Sequence, residues 1–125
     1  MGKKKPRAIS WLPKPEPHDY AAAASYLSLL MPPKAAAVLV SSLRRAPLVQ
    51  FKAKDIFRAS QLSLLGVSNS HVEVDRRKIK RGKPLSPLLL VRDAAHGRVV
   101  IADGYHRLCA VYTYDEDAWI PCRIT

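Results

Sequence analysis

Residues 98–114 read R-V-V-I-A-D-G-Y-H-R-L-C-A-V-Y-T-Y, and a change of period inside this stretch decides the fold. Val99, Val100 and Ile101 are β-branched, follow a turn at His96-Gly97 and predict a short strand. After Asp103-Gly104 the spacing changes. Tyr105, Leu108, Cys109 and Tyr112 recur at i, i+3, i+4 and i+7, one face of a helix, with His106 and Arg107 beside its first turn. That turn carries backbone N–H groups without intrahelical partners and the positive end of the helix dipole, so it attracts anions, phosphate above all. Gly104 would let a ligand approach the backbone, Arg107 offers a planar fork for phosphate oxygens, and His106 adds a donor. A plain strand-to-helix turn would use the same Asp-Gly pair, with Asp103 as the N-cap.

The flanks extend this unit. Before it, Pro84-Leu85-Ser86-Pro87 leads into residues 88–91, a leucine-rich strand suited to cover on both faces. After it, residues 119–125 read as a last strand. Residues 71–81 predict a helix ended by Gly82. Arg76, Arg77, Lys78, Lys80, Arg81 and Lys83 give it the strongest local positive field in the chain, although a solvated helix face is the commoner origin of such a run. Residues 48–56 alternate as a half-buried strand, and residues 58–69 read as loop with a short turn of helix.

Towards the N-terminus, Asp19 reads as the cap of a helix stopped at Pro32-Pro33. Pro33 then opens a second helix that ends with Arg44-Arg45 before Pro47. The chain thus divides into a basic proline-rich arm (1–18) in which Trp11 docks on the domain, a helical hairpin (19–47) and a mixed unit (48–125).

The order strand, D-G-Y-H-R, helix, with P-L-S-P-L-L-L-V before it and W-I-P-C-R-I after it, resembles the ParB/sulfiredoxin superfamily over roughly residues 51–125. The resemblance implies an α+β fold, a small mixed β-sheet with helices packed on it, here preceded by the helical hairpin. In the partition-protein branch the corresponding motif is G-E-R-R, which contacts the phosphates of CTP. In sulfiredoxin it is G-G-C-H-R, whose His-Arg pair engages ATP phosphates. Asp103, Gly104, Tyr105, His106 and Arg107, with Lys83 and Ser86 from the preceding loop, are on this basis the phosphate-binding candidates. Tyr105 replaces both the partition-protein glutamate and the sulfiredoxin nucleophile, so sulfinic-acid reduction is not expected. Partition proteins continue into a helix-turn-helix region and a dimerising tail, and this branch is expected to lack them.

A net charge of +11, from 21 Lys plus Arg against 10 Asp plus Glu, calls for an anionic partner without choosing among nucleotide, nucleic acid and phosphorylated small molecule. At 125 residues the chain is expected to form one domain with a real core. Two cysteines, Cys109 and Cys122, are too few for a disulfide framework or a zinc site and read as free core thiols. The acidic run Asp115, Glu116 and Asp117 reads as a solvated turn, and no metal site is expected. With no apolar region after the basic start and no run near ~18 apolar residues, a cytoplasmic protein without membrane contact is expected.

The function expected is binding of a nucleotide or another phosphorylated ligand at the D-G-Y-H-R junction, a nucleoside triphosphate with magnesium being one candidate. Turnover stays open between none, nucleotide hydrolysis and phosphoryl transfer. The alternatives are a nucleic-acid-binding accessory protein using Arg76, Arg77, Lys78, Lys80 and Arg81, or a non-catalytic interaction module built on the hairpin, with oligomerisation open in each case.

Overall fold

A computed structural model describes residues 7–65 and 69–125. The fold is α+β, a four-stranded mixed sheet with helices on both faces. In chain order the elements are α1 (Pro17–Leu30), α2 (Pro33–Arg45), β1 (Val49–Lys52), α3 (Ala53–Ser60), α4 (Ser70–Lys80), β2 (Leu88–Asp93), a 3-10 turn (Ala94–His96), β3 (Arg98–Asp103), α5 (Tyr105–Tyr114) and β4 (Trp119–Ile124).

The sheet order is β1-β4-β2-β3. β2 and β3 form an antiparallel hairpin, β4 runs parallel to β2 with Leu88 opposite Cys122, and β1 is antiparallel to β4 with Val49 opposite Cys122. The last strand therefore lies inside the sheet. The α5 crossover that returns the chain makes this parallel pairing.

Alternation along the central strand explains its unbroken apolar run. Leu88 and Leu90 enter one core with Ile56, Val72, Ile79, Leu108 and Val111 of α3, α4 and α5, while Leu89 and Val91 enter a second core with Tyr20, Ala23, Leu27, Val40 and Leu43 of the α1–α2 hairpin. Both faces of β2 are covered, as a leucine run demands. The hairpin is thus one wall of the fold. Its buried alanines, Ala23 and Ala36, meet Ala102 of β3 in that core, and such small side chains let helices lie close to a sheet.

Three local expectations are corrected. First, residues 53–56 are not strand: β1 stops at Lys52 and α3 begins, its buried Ala53, Ile56 and Ser60 at helical spacing. The acidic loop fixes this start, because the Ala118 and Glu116 carbonyls accept from Ala53 and Lys54 N–H at 2.9 Å each, and Asp117 pairs Lys54 at 2.6 Å. Second, α1 starts before Asp19. Glu16 is its N-cap, and Asp19 sits three residues in, its Oδ2 accepting from Glu16 N–H at 2.8 Å. Third, Asp103 is not the cap of α5. Gly104 holds that place at φ +109°, a backbone conformation that residues with side chains rarely adopt.

The described part of the arm is docked around Trp11, as expected. Trp11 bridges Leu85, Leu12 N–H donates to Leu85 O at 2.8 Å, and Leu85 N–H donates to Ser10 O at 2.9 Å. The lysines at 3–5 lie outside the described residues. Gly82, at φ +70°, ends α4 as expected.

Candidate functional site

Strand β3 delivers Asp103 and Gly104 to the edge of a polar cleft of about 300 Å³. Helix α5 adds His106 and Arg107, and α4, packed beside it, adds His71, Val74, Asp75 and Lys78. The α4 contribution follows from its period, since positions 71, 74/75 and 78 lie on one face.

Of the sequence candidates, the cleft brings together Asp103, Gly104, His106 and Arg107. Tyr105 turns away: its ring packs against the first core, and its hydroxyl donates to Ser63 O. Ser86 is buried and does not line the cleft. Lys83 lines an adjoining cleft of about 240 Å³ with Val74, Arg77, Lys78 and Arg81. Arg76 and Arg77 both reach Glu73, at 3.7 and 3.4 Å. Lys80 is exposed and lines neither cleft.

The fork of Arg107 is turned inward. Nη2 donates to Asp103 Oδ2 at 2.9 Å and to Pro87 O at 3.4 Å, and Nη1 lies 3.9 Å from Asp19 Oδ1. Asp19 is only 2% exposed, so this guanidinium is a counter-charge of a buried carboxylate on α1, whose Oδ1 also lies 3.4 Å from His18 Nε2. Leu88, with the end of the Arg107 side chain, explains the need for glycine at position 104. A Cβ there would sit 2.7 Å from Leu88 Cγ and 3.0 Å from Arg107 Nη2, so the close approach at Gly104 is made by the protein's own core.

Burial sets the protonation of the cleft. His106 is held below the usual histidine range, chiefly by burial and then by His71, whose ring centroid lies 4.9 Å away. Asp75 is pushed above the usual carboxylate range by burial, against the pull of Arg107 and Lys78. Asp103 is also raised, by burial first and with Asp19 adding to it, although Arg107 opposes. Two acids share one guanidinium here. With both carboxyls ionised and both histidines neutral, Lys78 and Arg107 balance Asp75 and Asp103 in the cleft lining.

The first intrahelical acceptor of α5 is Gly104 O, which takes Leu108 N–H at 2.9 Å. The N–H groups of residues 105–107 precede it and have no acceptor within the helix. An anion in the cleft would meet those donors, the Lys78 ammonium and two imidazoles. Among the described residues, no group of three or more His, Cys, Asp or Glu side chains is arranged to hold a metal ion. No helix is long and apolar enough to cross a membrane among those residues either.

Sequence reasoning missed His71, Asp75 and Asp19. The first two carried a signal, the i, i+4, i+7 relation of His71, Asp75 and Lys78. Asp19 carried none, because its meeting with Arg107 exists only after the hairpin has packed on the sheet. No family model, curated protein or solved structure matches the chain.

Proposed function

We propose that this chain binds a nucleotide or another phosphorylated small molecule in the cleft between α4 and α5. One observation carries the proposal: Lys78, His71 and His106, from two helices, converge on the N-terminus of α5 in a single polar cleft. The resemblance to the ParB/sulfiredoxin superfamily supports it, because phosphate binding in those proteins uses the same strand-to-helix junction. Arg107 serves the site by anchoring Asp103 and Asp19, while Lys78 and His106 meet the ligand. A reducing, cytoplasmic setting accords with two free buried thiols.

Calorimetric titration with tripolyphosphate and a nucleoside triphosphate panel, with and without magnesium, tests this. Lys78 is exposed, so Lys78→Ala should leave the fold intact and weaken binding by about tenfold or more, the worth of a charge-assisted contact. Equal affinity of wild type and Lys78→Ala would refute the site.

A second reading rests on the adjoining cleft, which shares Val74 and Lys78 with the first and adds Arg77, Arg81 and Lys83. Together they form a basic track suited to a nucleic-acid backbone. Duplex binding should then weaken steeply with salt, and charge reversal at Arg77 and Arg81 should flatten that slope. Absence of binding at low ionic strength would remove this reading.

A further inference from the structure

An apolar cavity lies at the other end of the β2–β3 hairpin from Gly104. It measures about 460 Å³, within the range of roughly 300–1,000 Å³ that small-molecule sites occupy. Its walls are apolar: Phe51 of β1, Ile56 and Ala59 of α3, Val99 of β3 and Ile124 of β4. The eight-residue α3 forms one wall, and the 3-10 turn and Gly97 of the hairpin border the cavity beside it.

The charges at the rim are unequal in their commitments. Arg98 donates to Asp93 at 3.0 Å, and Asp55 faces Arg58 at 3.6 Å. Arg92 is exposed, borders the same cavity and forms no ion pair among the described residues. An apolar chamber with one uncommitted guanidinium at its mouth suits a ligand with a hydrocarbon body and one anionic end. We infer that this cavity binds an amphipathic monocarboxylate, an acyl or aryl acid, with its hydrocarbon against Phe51, Ile56, Val99 and Ile124 and its carboxylate on Arg92. The phosphate reading is independent of it, since the two sites share no residue.

The test is titration of the full chain with decanoate, decanol and butyrate, followed by NMR of the isoleucine and valine methyl groups. Decanoate should bind at least about tenfold more tightly than decanol, which lacks the charge, and than butyrate, which lacks the body. The methyl signals of Val99 and Ile124 should shift. Arg92→Gln should bring decanoate down to the affinity of decanol, Ala59→Leu should weaken both by filling the chamber, and Lys78→Ala should change neither. Equal affinity for decanoate and decanol, an unaffected Arg92→Gln variant, or methyl shifts confined to other residues would each overturn the assignment.

Discussion

Arg107 Nη2 donates to Asp103 Oδ2 at 2.9 Å, four residues back along the chain, and the same guanidinium faces Asp19 of α1 at 3.9 Å. One side chain thereby joins the strand that ends at the cleft, the helix that borders it and the hairpin on the opposite face of the sheet. The Arg107 Nε is buried without a partner among the described residues, so the fork serves the two acids through its terminal nitrogens.

Arg107→Ala should therefore act first on stability. It leaves Asp103 without its ion-pair partner and Asp19 with only the His18 imidazole, and removal of one partner from a buried pair costs about 3–5 kcal/mol. Arg107→Lys should recover part of that loss, since an ammonium keeps the charge but cannot reach two acids and Pro87 O together. Urea denaturation of the three proteins measures it. A loss of phosphate binding in Arg107→Ala at unchanged urea midpoint would show that the fork faces the ligand instead.

Gly104→Ala tests the junction from the backbone side. The substitution meets both a positive φ and the Leu88 side chain, and strain of this kind costs on the order of 1–3 kcal/mol before any shift of Leu88. Leu88→Ala in the same chain should relieve the contact but not the φ. The double variant is thus expected to lose less than the sum of the two single losses in thermal or urea unfolding. Strict additivity would mean that the Leu88 contact is not what excludes a side chain at position 104.

Much of this architecture was legible because periodicity reports burial directly. The β3–α5 switch, the two proline-bounded helices and the run of leucines in β2 each expose their packing in one line of sequence. The strand expected across residues 48–56 failed at Ala53, where a loop some sixty residues downstream supplies the carbonyls that start α3. The site was half visible for a similar reason. Asp103, Gly104, His106 and Arg107 are contiguous, whereas His71 and Asp75 come from another helix and the Asp19 contact from the far face of the sheet. The role expected of Arg107 rested on its place beside the helix N-terminus, which a sequence shows, and not on which partners its donors had already taken, which it does not.

Both thiols should be inert in the folded protein. Burial raises Cys122 to about 12 and also raises Cys109, which packs in the first core beside Tyr105. Thiolate is the reactive species, so an aromatic disulfide reagent should label neither cysteine near neutral pH and both after denaturation in guanidinium. Rapid native labelling of Cys109 would contradict its burial in the first core.

Phosphate affinity should rise as pH falls, and His106 sets where. In the free protein its proton is disfavoured by burial and by His71. The folded state therefore binds this proton less readily than the unfolded chain does. That loss of stability accrues as pH drops from the ordinary histidine value, about 6.5, towards the lower folded value. A bound anion reverses the preference by placing negative charge beside the ring, so binding takes up a proton throughout the window between the free and the liganded values. Asp75 works in the same direction, because its raised carboxyl loses its negative charge as pH falls and repels the ligand less. The other titratable and charged groups lining the cleft are His71 and Lys78 from α4, and Asp103 with Arg107, whose fork stays on its acids. Tripolyphosphate titrations between about pH 8 and pH 5.5 should show affinity climbing by up to about tenfold per pH unit for one proton taken up. His106→Gln should lower that slope while keeping the part that belongs to the ligand's own protonation, and Asp75→Asn should bind more tightly than wild type at the alkaline end. A slope identical in wild type and His106→Gln would place the anion away from α5.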